Sequence, residues 1–234
     1  MIDYFIKILD WSEVWALLIP LTVLLFFRPQ PATLKPVIIY LWIAFILNIG
    51  IDIIMILRDN RLDWVKTHFP EWLKTNNPLY NVHSVARFIC FSIYFIQLPH
   101  ASFTKLKKLL AVASAIFIVI NFSIFENFLN PRSFSSNLLA TEAYLLLVYC
   151  MLYYLSELKD DSKNLFNGPD FWVVTGLSIY VVVNFFVFLF YLPMIDVDLE
   201  LAVNIWNVHN IAFIIFCVFI AKGLYGSDRY KYSV

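Results

Sequence analysis

Four histidines occur in the 234 residues, and two of them sit in nearly the same ten-residue phrase: YNVHSVARFI from Tyr80 and WNVHNIAFII from Trp206. Imidazole binds transition metals, hydrogen-bonds polar ligands and carries protons near neutral pH. Two glutamates are related in the same way. WSEVWALL aligns with ATEAYLLL, which sets Glu13 opposite Glu142, each followed two residues on by an aromatic, Trp15 or Tyr144. Two carboxylates and two imidazoles suit zinc, iron or manganese. His83, His209, Glu142 and Glu13 are therefore candidate metal ligands, and a transition metal is the candidate cofactor. Their spacing is not itself a metal motif, because neither His-x-x-x-His nor Glu-x-x-His occurs. The same residues would serve to hydrogen-bond a small polar ligand, to hold a haem between the two histidines, or to form an interhelical network that fixes packing.

More polar residues belong to this constellation. The aligned phrases pair Asn81 with Asn207 and flank the histidines with Tyr80 and Trp206, two rings placed to wall a ligand site. Asn48 and Asn184 are each the one central asparagine of an apolar run. Arg87 lies one helical turn from His83, and Phe213 takes its place in the second phrase. Asp52 is likewise unmatched, so an Arg87 to Asp52 ion pair is expected, with an anion-binding role for Arg87 as the functional alternative. The candidate ligand-binding set is Glu13, Asn48, Asn81, His83, Arg87, Glu142, Asn184, Trp206, Asn207 and His209. No nucleophile with a positioned base is legible, so no catalytic residue is assigned and the enzyme reading ranks last.

The elements that must position these residues follow from composition. The chain is 61% hydrophobic and 15% charged, outside the range of a soluble domain. A hydrocarbon core of about 30 Å needs roughly 20 apolar residues per helix. Seven such runs fall near residues 11–28, 36–57, 78–98, 106–125, 137–157, 170–193 and 199–222. With only five glycines and no strand-like alternation, a barrel is not expected. The predicted fold is an all-α integral membrane protein forming one seven-helix domain over 1–234.

At 1.5 Å per residue, the glutamates, histidines and asparagines fall at roughly similar depths and predict a polar layer across the outer half of the bundle. Polar groups in hydrocarbon should face inward and pair. The three aligned pairs also match the first helix to the fifth, the second to the sixth and the third to the seventh. That predicts a parallel 3+1+3 repeat, with repeat one over about 8–98, a linker helix over about 106–125 and repeat two over about 137–223.

Basic residues outside the helices divide ten to six, with Lys35, Lys105, Lys107, Lys108, Lys159 and Lys222 among the ten. The positive-inside rule then puts the C-terminus in the cytoplasm and the N-terminus outside. The segment MIDYFIKILDWSEVW lacks a basic start and a cleavage site, and is not expected to be a removable signal. Between the second and third runs, Leu62, Val65, Phe69 and Trp72 recur at helical spacing and predict an interfacial helix on the outer face. Cys90, Cys150 and Cys217 lie inside apolar runs and predict no disulfide. The richness in Ile, Phe, Asn and Lys, with short polar termini, points to a bacterial inner membrane.

The 3+1+3 arrangement resembles that of microbial rhodopsins and of the SWEET sugar transporters, in architecture alone. A retinal protein needs a lysine in the middle of the seventh helix, whereas Lys222 lies at its inner end, so no retinal is expected. The transporters' proline-glutamine signature is absent from helix interiors, with Pro29 and Gln30 in a loop. Seven-helix zinc hydrolases of the ceramidase and adiponectin-receptor type carry His-x-x-x-His, but four residues after His209 stands Phe213. The functional expectation is a receptor-like protein binding a small ligand or metal ion. A small-solute transporter using the same layer is the alternative. Few glycines and the bulky Phe185, Phe186 and Phe188 favour a binder over a conduit. Expected partners are the lipid bilayer, a small ligand and a membrane or cytoplasmic signalling protein, with no nucleic acid.

Overall fold

The computed structural model describes residues 8–27, 30–60, 62–98, 103–130, 134–159 and 168–230, and all regular structure among them is helical. Of the basic residues used for orientation, Lys7, Arg28, Arg61, Arg132, Lys163 and Lys231 lie outside the described residues.

Six long helices and a shorter one of 15 residues follow the apolar runs. They are α1 (Ser12–Phe26), α2 (Lys35–Asn60), α3 (Asn77–Gln97), α4 (Thr104–Ile120, with a π-helical turn over Asn121–Phe125), α5 (Ser136–Glu157), α6 (Pro169–Val197) and α7 (Leu199–Tyr230). Six of them, α2 to α7, contain stretches long and apolar enough to cross a membrane. The exception is α1, whose 15 residues rise about 22 Å. It ends where Phe27 turns to an extended conformation and its N–H closes back on the Val23 carbonyl.

Local chemistry sets the starts. Proline in the first turn opens α3 and α6, where its missing N–H costs nothing. Ser135 caps α5, its hydroxyl accepting from the Leu138 N–H at 3.0 Å. The segment between α2 and α3 forms a short helix, Leu62–His68, and a 3-10 turn, Glu71–Leu73.

Burial is inverted relative to a water-soluble bundle. Ile39, Ile46 and Ile53 form an exposed apolar stripe on α2, and Leu109, Ile116 and Val119 do the same on α4. Meanwhile Arg87, Glu142, His83, His209, Asn48 and Asn184 are buried. A bilayer selects this pattern, because it solvates apolar surface and penalises unpaired polar groups. The protein is an integral membrane protein of all-α type.

Packing follows a closed order: α1 on α2, α2 on α3, α3 on α5, α5 on α6, α6 on α7, and α7 back on α1. Six helices thus make a ring. α4 stands outside it against α3 and α5, with only 11% of its most apolar stretch buried. The α6–α7 contact is the most intimate. A Cβ built on Gly176 would come within 2.4 Å of Phe219 Cβ, and one on Gly223 within 2.8 Å of the Pro169 carbonyl oxygen. Small residues at such crossings let backbones approach. Gly50 has nothing within 4 Å of that position.

Candidate functional site

Inside the ring, the residues singled out by spacing form two pairings. On one side, Arg87 of α3 holds Glu142 of α5 in a forked ion pair, Nε to Oε1 at 2.5 Å and Nη2 to Oε2 at 2.7 Å. Its Nη1 donates to the Tyr180 hydroxyl at 2.6 Å, and Ser84 donates to Glu142 Oε2. Both charged side chains are almost fully excluded from solvent. On the other side, His209 of α7 bridges two helices, with Nδ1 2.6 Å from Asn184 Oδ1 and Nε2 3.2 Å from Glu13 Oε1. Asn48 donates to the Glu13 backbone carbonyl at 2.9 Å, tying α2 to the start of α1.

The remaining predicted residues divide. His83 Nε2 lies 3.3 Å from the Tyr40 hydroxyl, with the two rings parallel. Asn81 does not reach either pairing. It clamps the α4–α5 connection instead, its amide donating to the Phe128 carbonyl and its oxygen accepting from the Ser135 N–H, both at 2.9 Å. Asn207 is half-buried and lines neither cavity described below. Trp206 stacks near His209, with ring centres 4.9 Å apart, and meets Tyr80 edge to face at 5.8 Å.

The geometry bears on three of the expectations. Arg87 pairs with Glu142 and not with Asp52, because α3 packs on α5 at that depth and brings a carboxylate into the guanidinium plane. Of the proposed metal set, Glu142 is in the first pairing, His209 and Glu13 are in the second, and His83 stands apart against Tyr40. Among the described residues no group of three or more His, Cys, Asp or Glu is placed to hold a metal ion. Of the three α6 phenylalanines, Phe186 faces outward and only Phe188 is buried. The interior filling comes from Tyr40, Phe91, Phe213 and Phe216. Phe216 is fully buried against the other three and stacked on Tyr180 at 5.0 Å.

Two cavities meet this layer. A vestibule of about 490 Å³ is lined by residues that include Asp10, Asp52, Asn76, Tyr191 and Phe134. Beneath it, a chamber of about 20 Å³, room for one water, is lined by Glu13, His83, Ser84, Arg87 and His209 among others. Tyr80 and Trp206 line both and form the partition between them. The tyrosines Tyr40 and Tyr180 were not singled out from sequence, where aromatics make up 18% of the chain. The signal that would have found them is a tyrosine deep within an apolar run, whose hydroxyl needs a buried partner.

Compared with known proteins, the chain matches no family model, no curated sequence and no solved structure. What the site can do therefore rests on its own geometry.

Proposed function

We propose that the protein is a receptor-like, ligand-binding membrane protein that admits a small molecule through the vestibule to rest on the Tyr80–Trp206 partition above the polar layer. The observation that carries this reading is the vestibule itself. About 490 Å³ is the size of a small-molecule site, and it is walled by rings with a few convergent polar groups. In this reading seven helices span a bacterial inner membrane, with the N-terminus outside and the C-terminus in the cytoplasm, and the vestibule opens outward.

The 3+1+3 repeat belongs to the same reading. A ring ordered α1, α2, α3, α5, α6, α7 is the order a twofold axis along the membrane normal requires if α1 to α3 map onto α5 to α7. The glutamates support it. Glu13 of the first triplet bonds the third helix of the second, and Glu142 of the second triplet bonds the third helix of the first.

Transport by the same layer is the second reading, favoured by the twofold ring order. Against it, the chamber holds about one water and the Phe216 cluster fills the axis beyond. Two measurements separate these. A thermal-shift screen of small metabolites on the purified protein should find stabilising compounds whose effect is lost in Trp206→Leu. Reconstituted vesicles should bind such a compound without accumulating it; accumulation lost in His83→Ala would establish the transporter and refute the receptor.

A further inference from the structure

We propose that the vestibule is a site for a small organic cation, an amine or a quaternary ammonium ion, held by the carboxylates of Asp10 and Asp52 against the rings of Trp11, Tyr80 and Trp206. This rests on the reading of the vestibule as a ligand site and names the class of ligand it takes.

Charge is the first argument. Among the described residues, the side chains lining the vestibule include two carboxylates and no lysine, arginine or histidine. In the chamber below, the permanent cation is Arg87, and its charge is already matched by Glu142 through two hydrogen bonds. His209 is engaged by Glu13. Among the described residues, no cation in either cavity is left over for Asp52. The balance of the whole site is negative, and a cleft with low-dielectric walls concentrates counter-ions of the opposite sign.

The second argument is an incomplete hydrogen bond. Asp52, half-buried in the vestibule wall, has an Oδ2 atom with no hydrogen-bond partner among the described residues. A buried carboxylate oxygen without a donor is costly, and that cost is removed when a donor arrives. An ammonium group in the vestibule supplies both the charge and, in a primary amine, the N–H.

The walls give the third argument. Five of the twelve lining residues are aromatic. Four of them form one continuous surface: Tyr80 meets Trp206 at 5.8 Å, Trp206 meets Tyr191 at 4.9 Å, and Tyr191 stacks on Phe134 at 5.8 Å. Ring faces attract cations, and their attraction is greatest when water is excluded. A bare metal ion would leave most of 490 Å³ empty and find no third carboxylate or histidine ligand among the described residues.

The test uses the full chain in detergent or nanodiscs with defined probes: choline and phenethylamine, each beside an uncharged isostere, and acetate and benzoate as anions. Binding is read by thermal shift and by tryptophan fluorescence. At least one cation should stabilise the protein and change its fluorescence, while the isosteres and anions do not. Asp52→Asn should weaken that binding at least tenfold while melting like the wild type in the absence of probe. Asp63→Asn, on the exposed helix between α2 and α3, should leave it unchanged. Equal binding of the uncharged isosteres, binding of anions alone, or undiminished affinity in Asp52→Asn would overturn the cation assignment and leave the ligand site standing. No response to any compound, in this panel or in the metabolite screen, would overturn both.

Discussion

Glu142→Gln is the substitution that tests the layer most sharply. The side chain keeps its size, so packing is not at issue. What changes is that Arg87, with about 5% of its side chain accessible, loses the carboxylate that balances it. Of the four polar contacts around this pair, two are the fork from Nε and Nη2, one is Ser84 to Oε2, and one is Nη1 to Tyr180. Only the last is untouched. Removing one partner of a buried pair costs about 3–5 kcal/mol, chiefly because the other charge is left uncompensated. At about 1.4 kcal/mol per decade, that is roughly two to four powers of ten in the folding equilibrium. Arg87→Met should cost a similar amount. The double variant should cost far less than the sum, because removing both charges removes the desolvation penalty together with the attraction. The assay is equilibrium unfolding in mixed micelles, monitored by tryptophan fluorescence. Additive costs, or a Glu142→Gln variant within about 1 kcal/mol of wild type, would refute the pairing of Arg87 with Glu142 as the centre of the layer.

Other consequences are open to direct measurement. Gly176→Ala should destabilise by about 1–3 kcal/mol, since the new methyl meets Phe219 Cβ at 2.4 Å, close to the backbone where little can yield. Gly50→Ala, with open space, should be neutral or slightly stabilising through helix propensity, and equal melting of the two variants would contradict the α6–α7 approach. Asn81→Ala should strip two hydrogen bonds from the α4–α5 connection and cost about 1–3 kcal/mol. Hydrogen exchange should quicken around 128–138 first, and unchanged exchange there would remove the clamp. Cys90, Cys150 and Cys217 are all buried and unpaired, so a maleimide should label none of them until the protein is denatured. That silence provides the background for single introduced cysteines at Lys74 and Lys222, which should label from outside and inside respectively if the proposed orientation holds.

How far the sequence reached depends on the range of the interaction concerned. Helix spans are a local property of apolar run length, and α2, α3 and α5 begin and end within a few residues of the predicted runs. α6 and α7 run on to Val197 and Tyr230, because helical hydrogen bonding does not stop where hydrophobicity does. The short α1 was less legible, since its backbone turns at Phe27 for reasons that no apolar count contains. That Glu13, Glu142, His83, His209, Asn48 and Asn184 face inward follows from the cost of polar groups in lipid. Which of them touch does not. Arg87 and Glu142 are 55 residues apart, and their meeting depends on α3 lying against α5 with α4 displaced outward. The Tyr80–Trp206 partition was approachable from sequence because both rings flank the repeated histidines. Asp10 and Tyr191 as vestibule walls were not, since they lie near helix ends with no motif around them.

The closure of the ring by its first and last helices also sets the timetable of biogenesis. Glu13 leaves the ribosome 196 residues before the histidine that engages it, which stands on α7. Throughout that interval α1 must reside at the membrane with a carboxylate and no imidazole to meet it. Arg87, by contrast, waits only until α5 emerges. A nascent chain stalled before α7 is therefore left with a half-built wall and an orphaned acid, a state that membrane quality control can recognise. Truncations ending before α7 should be cleared rapidly, whereas the shortness of α1, which allows Glu13 to remain near the interface during the wait, makes the delay tolerable for the complete chain.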